Sequence, residues 1–277
     1  MSGTLYLVAT PIGNLDDFTL RGIATLQAVD IIAAEDTRHS LALLQHFGIK
    51  TRCQSYHAHN ENEQSTKLID QLKQGLSIAL ISDAGTPLIS DPGSTLVQQA
   101  QSAKIPVVPI PGACAAITAL CASGLATDEF RFIGFLSNKA EKRKRQLQQL
   151  SEDEATLILY ESVHRIGDLM QVLVETLEPN RLVCLARELT KHFEQIKTAS
   201  IAELHTWFLE NPDKRKGEYV VIVSGAPLKL SNEVAITKTL RLLMNELPLK
   251  KAAEITAKIL GERKNAVYEI ALKLIAD

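Results

Sequence analysis

The chain has no excess of either charge, no paired-cysteine motif, no long apolar run and no glycine loop of a known phosphate-binding type. Lys plus Arg number 30 against 32 Asp plus Glu in 277 residues, a formal net charge of −2. No global field therefore draws it to nucleic acid, and any such site must be a local patch. The four cysteines, Cys53, Cys114, Cys121 and Cys184, show no CxxC spacing and sit mostly among apolar or small residues. That is the pattern of reduced thiols rather than of a disulfide frame, and Cys114 and Cys121 read as packing residues. No stretch reaches the roughly 18 apolar residues of a membrane span, and the opening MSGTLYLVATPIG lacks the basic start and apolar core of a signal peptide. A cytoplasmic protein with no membrane partner is expected, long enough for about two domains.

What is present centres on Ile81 to Gly93, ISDAGTPLISDPG, which follows the apolar run Ser77 to Ile81. Gly and Pro at this density, beside short polar side chains, form a shaped loop whose backbone N–H and C=O groups can approach a ligand. The bland alternative is an elaborate strand-to-helix turn. Around it, strands at 5–9, 31–34, 78–81 and 107–110 alternate with helical patterns at 19–26, 63–73 and 93–103. Strand, turn, helix, strand is the rhythm of a parallel α/β sheet, and in such sheets ligands lie beyond the carboxyl ends of the strands. TPIGN, EDTR, SDAGTP and PGAC fall there.

A small-residue helix follows Pro111, running to about Gly124. Strand-like runs at 130–135, 156–160, 182–186 and 219–223 then alternate with helices at 143–150, 164–176 and 201–209. This predicts an α/β domain over 1–112, a second over 113–227, a linker near 227–231, and a satellite of three short helices over 232–277.

The first loop, VATPIGN, has neither GxGxxG spacing nor a GK[ST] ending, which argues against a nucleotide-phosphate site. Asp83 and Asp91 are candidates for a hard cation, but carboxylates flanked by Gly and Pro more often cap helices or brace loops, and no third carboxylate clusters with them. His57 and His59 have ligand-like spacing without a second pair to complete a zinc site. A polar surface loop and substrate contact both stay open for them. YESVHR after one strand and ARELTK after another place charges just past strand ends, where either a site or a salt-bridged helix start belongs. Lys139, Lys142, Arg143, Lys144 and Arg145, with a second run at Lys214, Arg215 and Lys216, are candidates for phosphate-backbone contact.

Taken together, LVATPIGNLDD, AAEDTRHS, SYHAHNE, SDAGTPLISDPG, PIPGACAA, YESVHR, ARELTK and KGEYVVIV run in order from Leu7 to Val223. In these strings the chain resembles the tetrapyrrole-methylase family, and within it the branch that methylates a cytidine ribose of small-subunit (16S) ribosomal RNA. The resemblance implies a class III methyltransferase fold: two α/β domains, S-adenosylmethionine in the cleft between them, no metal, a small C-terminal helical domain, a homodimer, and the small ribosomal subunit as partner. Carried over residue by residue, it places Pro11, Ser82, Asp83, Ala84, Gly85, Leu88 and Ile89 along the donor cleft. Ala113, Cys114 and Ala115 come from the domain junction, and Glu161, Ser162 and Ala186 from the opposite wall. Many relatives read PGPSA where this chain has PGACA, which leaves a backbone contact there but removes a side-chain hydroxyl.

Methyl transfer from a sulfonium is an in-line displacement, and a ribose hydroxyl needs a base or cations to stabilise the developing alkoxide. Glu35, Asp36, Arg38, His164, Arg165, Arg187, Glu188 and Lys191 are the polar groups expected at strand ends. Lys191 or Glu188 is preferred for proton handling, with Arg38 and Arg187 for phosphate or alkoxide, and the base itself stays unassigned. Two other readings remain: methylation of a corrin or other tetrapyrrole, and a non-catalytic RNA-binding module of ribosome assembly. In the satellite, Leu249 to Leu260, a turn at 261–264, and Asn265 to Ile275 have the lengths of a helix-turn-helix.

Overall fold

The computed structural model describes residues 2–58, 60–212, 217–227 and 233–276. The expectations for His59, for Lys214, Arg215 and Lys216, and for the linker beyond Pro227 lie outside the described residues. The chain divides into two compact units, one ending at Gly225 and the other beginning at Ala226. Both sheets belong to the first unit, so the expected boundary at residue 112 falls inside it, between the strand Val107–Ile110 and the helix Ala115–Ala122.

The first sheet is all parallel. Its strands are β1 (Leu5–Val8), β2 (Ile31–Ala34), β3 (Arg52–Ser55), β4 (Ile78–Ile81) and β5 (Val107–Ile110), in the order β3-β2-β4-β1-β5. Alternate side chains feed opposite faces: Leu5, Ile31, Ala33, Ile78 and Leu80 pack into one core, Val8, Ile32, Ala34, Ala79 and Ile81 into the other. Full burial of each large aliphatic contributes roughly 1.5–3 kcal/mol. Helices α1 (Leu20–Ala28), α2 (Thr37–His46), α3 (Glu61–Lys73) and α4 (Ser94–Ser102) connect these strands. Thr19 caps α1 through Gly22 N–H at 3.0 Å and Asp36 caps α2 through Arg38 N–H at 2.8 Å.

The second sheet is mixed. After α5 (Ala115–Ala122) come β6 (Phe130–Phe135), α6 (Ala140–Leu150), β7 (Thr156–Glu161), α7 (Ile166–Thr176), β8 (Leu182–Arg187), β9 (Gln195–Ser200), α8 (Ile201–Glu210) and β10 (Tyr219–Val223). The order is β6-β7-β10-β8-β9, with β6 and β7 parallel and the other pairs antiparallel. Ala116, Ala119 and Leu120 of α5 pack on the face formed by Ile158, Cys184, Ala186, Val220 and Ile222. Small side chains on α5 permit that close approach. Cys121 points outward and is exposed, contrary to its expected packing role, because it lies on the helix face away from this contact.

Elements α2, β3 and β9 were not expected from the sequence. In the second unit, α9 (Glu233–Met244), α10 (Leu249–Leu260) and α11 (Lys264–Ala276) close on a core of Ile236, Leu240, Ala252, Ala253, Ala257, Val267 and Ala271. Gly261, at φ 69°, ends α10 in the left-handed conformation and opens the turn into α11.

Candidate functional site

The loops beyond β1, β2, β4 and β5 are tied to one another mainly through backbone groups. Thr10 and Gly85 exchange two hydrogen bonds, Thr10 N–H to Gly85 O at 2.9 Å and Gly85 N–H to Thr10 O at 3.0 Å. The Thr10 hydroxyl donates to Ser82 O at 3.2 Å, and the Thr86 hydroxyl to Ala113 O at 3.0 Å. Asp83 Oδ1 accepts from Asp36 N–H at 3.0 Å, which ties the β2 loop to the β4 loop. Gly85 sits at φ 83°, and a Cβ there would lie 3.2 Å from Ile12 Cγ2 and 3.6 Å from Ala113 O. It is the point where three loops meet.

The rest of the β4 loop is held in unusual backbone. Leu88 and Ser90 both have φ 73° and Gly93 has φ 137°, a conformation costing of order 1–3 kcal/mol at each of the two non-glycine positions and sustained only where the surroundings enforce it. Part of that enforcement comes from Glu61. Its Oε1 accepts from Gly93 N–H and Thr95 N–H, each at 3.1 Å, so the first residue of α3 caps α4. Leu88 turns into the core under the sheet.

Opposite these loops stand the ends of β7, β8 and β10, and between them lies a cavity of about 380 Å³. Of the expected donor residues, Asp83, Ala84, Gly85 and Ile89 line it from the loop after β4, Cys114 and Ala115 from the start of α5, and Glu161, Ser162 and Ala186 from the second sheet. Pro11, Ser82, Leu88 and Ala113 do not. They stand behind the lining, where Ser82 and Ala113 accept the hydrogen bonds just described. Glu35, Thr86, Asp91, Phe135, Tyr160 and Glu218 also line the cavity. Tyr160 accepts a hydrogen bond from Ala116 N–H at 3.1 Å, joining the second sheet to the start of α5, and Phe135 sits edge-on to it with centroids 5.6 Å apart. Neither aromatic had a signal in the sequence beyond its place in a strand.

The lining is acidic. Glu35, Asp83, Asp91, Glu161 and Glu218 contribute carboxyl groups, and among the described residues no Lys, Arg or His lines the cavity. Burial, then the neighbouring carboxylates of Asp91, Asp83 and Asp36, push Glu35 up to about 7. Burial and Asp83 push Asp91 up to about 6, against a hydrogen bond from Ser82. Glu161 has a fully buried side chain; its Oε1 accepts from Ser162 N–H at 2.9 Å and lies 3.2 Å from Arg165 Nε, while Oε2 has no partner. Burial raises its pKa and Arg165 and Arg143 oppose the rise. Among the described residues no three His, Cys, Asp or Glu side chains converge as a metal-binding group.

The four residues expected to do chemistry do not line the cavity. Lys191 Nζ is 2.7 Å from Glu218 Oε2 and 3.2 Å from Glu188 Oε1. Burial alone would lower its pKa, but these two hydrogen bonds outweigh it and the net direction is upward. Glu188 Oε1 also accepts from Glu218 N–H at 2.8 Å, and burial of this carboxyl is outweighed by its donors, leaving its pKa lowered. Gly217 leaves room for that carboxylate, since a Cβ there would come within 2.6 Å of Glu188 Cγ. Arg187 ends β8 half-buried, and Arg38 is exposed beside Asp36 at 3.6 Å. His164 is exposed, and Arg165 donates to Leu136 O at 2.7 Å.

The basic segment on α6 is less available than its sequence suggests. Arg143 is only 3% exposed and pairs with Asp168 at 3.1 Å, and Lys144 pairs with Glu175 at 2.8 Å. Lys139, Lys142 and Arg145 remain on the surface. Arg143 lies on the same helical face as the buried Leu147, and that placement turns it inward.

Two mutually facing sheets with a loop-lined cavity between them are the architecture of one class of methyltransferase. Superposition finds the same fold in the uroporphyrin-III-C-methyltransferase from Thermus thermophilus, with TM-score 0.56 at 20% identity, covering 80% of this chain and 94% of that one. Diphthine synthase gives TM-score 0.60 at 18% identity, covering 80% and 90%. The chain belongs to the Tetrapyrrole (Corrin/Porphyrin) Methylases family, whose model matches residues 4–205. Residues 231–275 match the RsmI C-terminal HTH domain. A protein named ribosomal RNA small subunit methyltransferase I from Haemophilus influenzae is 53% identical over 275 residues, 98% of this chain and 97% of that protein. Its namesake from Pseudomonas aeruginosa is 49% identical over 275 residues, 98% of each. No helix among the described residues is long and apolar enough to cross a membrane.

Proposed function

We propose that this methyltransferase transfers a methyl group from S-adenosylmethionine to the ribose 2′-hydroxyl of a cytidine in small-subunit (16S) ribosomal RNA. The observation that carries the donor assignment is the charge of the cavity. A lining with five carboxyl groups and, among the described residues, no basic side chain suits a ligand bearing a sulfonium and an ammonium, and disfavours nucleotide phosphates. The unpartnered Glu161 Oε2 fits the same ligand, because the amino and ribose groups of the donor are hydrogen-bond donors. When bound, the donor supplies a methyl carbon with a neutral sulfide as leaving group, so no metal is needed to stabilise departure.

Gly85 and Ala84 bring bare backbone to the ligand, with Ile89 beside them and Asp83 toward the cationic end. Cys114 and Ala115 approach from the start of α5, and Glu161, Ser162 and Ala186 close the opposite wall. Pro11, Ser82, Leu88 and Ala113 hold the loops in shape. Lys191, held as an ammonium by Glu188 and Glu218, serves as a cation rather than as a proton acceptor. With Arg187 and Arg38 it faces RNA phosphate or the developing alkoxide, and Glu188 positions it.

The RNA assignment is supported by the names of full-length relatives near 50% identity and by the helix-turn-helix match of the C-terminal unit. On this reading the protein works in the cytoplasm as a homodimer, and the dimer presents a wider basic surface to folded RNA. A tetrapyrrole acceptor fits less well, since its carboxylate side chains would face a carboxylate-lined cavity. The test is methylation with tritium-labelled donor on small ribosomal subunits. Label recovered in ribose-methylated cytidine is expected, while label in a porphyrinoid, or tight RNA binding with no label, would overturn the assignment.

A further inference from the structure

The proposed reaction releases a proton from the hydroxyl, and the proton needs an acceptor. We propose, resting on the methyltransferase reading above, that Glu35 at the end of β2 receives that proton, and that the loss of the donor's positive charge drives the proton onto it.

The lining carboxylates differ in what already holds them. Asp83 accepts Asp36 N–H, Glu218 is paired with Lys191 at 2.7 Å, and Glu161 is next to Arg165. Ser82 opposes the rise at Asp91. Glu188 and Lys191 are engaged with each other and do not line the cavity. Glu35 lines it, and what acts on it is burial and the carboxylates of Asp91, Asp83 and Asp36, with no hydrogen bond or basic group among the described influences. The groups facing it are acids: Asp91 and Asp83 from the loop after β4, and Asp36 beside it in the chain. On the other flank of β2, the segment after β3 carries Tyr56, whose phenol turns to Ser65 at 2.9 Å, and His57.

Half-buried, and with carboxylates around it, Glu35 binds a proton readily when the cavity holds no cation, titrating near 7. It gives that proton up when a positive charge enters the cavity, and so stands ready as a base. In the transfer, the hydroxyl oxygen forms a bond to the methyl carbon while the carbon–sulfur bond breaks and its electron pair stays on sulfur. The O–H proton passes to the Glu35 carboxylate. Atoms and charge balance: one cation is lost at sulfur, and one carboxylate is neutralised at Glu35.

The experiment is calorimetric titration of the full chain at pH 7 with S-adenosylmethionine and with its demethylated product. It is run in buffers of low and high ionisation heat, on the wild type, Glu35→Gln and Glu35→Asp, and paired with single-turnover methylation of small subunits across pH. The wild type should release about half a proton on donor binding, since Glu35 titrates near the working pH, and close to none on product binding. Glu35→Gln should abolish that release and slow methylation about 10²–10⁴-fold, with part of the rate restored in Glu35→Asp. Donor binding without proton release, or wild-type turnover by Glu35→Gln, overturns the role of Glu35 and leaves the methyltransferase reading standing. No donor binding by the wild type overturns both.

Discussion

Replacing Gly85 by Ala should weaken donor binding by about tenfold, and the local geometry gives the reason. At φ 83° an L-residue is placed in left-handed backbone, which costs roughly 1–2 kcal/mol. The added Cβ would also sit 3.2 Å from Ile12 Cγ2, tighter than ordinary contact, so either Ile12 or the loop must give by a few tenths of an ångström. Because the backbone of Gly85 carries both hydrogen bonds to Thr10, relief by movement of the loop shifts the cavity wall. A loss of about 1.4 kcal/mol in donor binding corresponds to the tenfold change. The control is Gly48→Ala. Gly48 has φ 63° and no atom within 4 Å of the added Cβ, so it carries the backbone strain without the site. Both variants should lose about 2–4 °C in Tm for each kcal/mol of strain, but only Gly85→Ala should raise the donor Kd in calorimetry. If the two variants match in Tm loss and both bind donor as the wild type does, the loop junction does not shape the site.

Glu61→Gln should destabilise the chain at neutral pH by about 0.3–1 kcal/mol, because the amide oxygen still accepts the two N–H groups while the negative charge at the start of α4 is lost. Burial tends to raise the Glu61 pKa, but the N–H groups of Thr95 and Gly93 outweigh it and the folded value is lowered. The stabilisation is therefore present above the ordinary carboxylate range and lost as pH falls through the lower folded value, so denaturation curves of variant and wild type should converge in acid. Arg143→Ala should lower Tm and leave the salt dependence of RNA binding unchanged, because Arg143 is buried against Asp168. A joint Lys139→Gln, Lys142→Gln and Arg145→Gln change should weaken RNA binding and flatten its salt slope, by about one unit for each phosphate no longer neutralised. Removing residues from Asn232 onward should leave donor affinity intact and reduce methylation of small subunits at subsaturating substrate, with the gap narrowing as salt screens the contacts that only the intact chain makes; equal turnover by the shortened and intact chains across a salt series would refute a substrate-holding role.

Much of the parallel sheet was legible because β2 and β4 are buried on both faces and so appear as unbroken apolar runs. β3 and β9 were not, because RCQS and QIKTAS are polar edge strands whose conformation comes from pairing with β2 and β8 rather than from their own pattern. α2 was hidden behind EDTR, read as a strand end, although Asp36 is the cap that begins the helix. At the site, glycine and proline density marked the loop after β4. Spacing could not say that Lys191 would be locked between two glutamates, or that Arg143 would turn inward. Those outcomes depend on partners 25 or more residues away, Asp168 for Arg143 and Glu218 for Lys191. Glu35 was visible as one strand-end acid among several, and its burial together with its company of Asp91, Asp83 and Asp36 sets it apart.

The strand order bears on how the chain is made. β1 is synthesised first, yet its neighbours are β4 and β5, so Leu5 must wait for Ile78 and Val107. At about 5–20 residues per second that delay is on the order of 5–20 s. In the second sheet β10 comes last and inserts between β7 and β8, so these strands emerge from the ribosome with a gap between them. Tyr219 and Val220 of this final strand, with Glu218 just before it, complete the cavity wall, and no earlier stretch of nascent chain can present the finished binding surface. A chain released before Val223 would expose unpaired edges of β7 and β8 to aggregation and degradation, so premature termination should yield cleared fragments rather than a partly active protein.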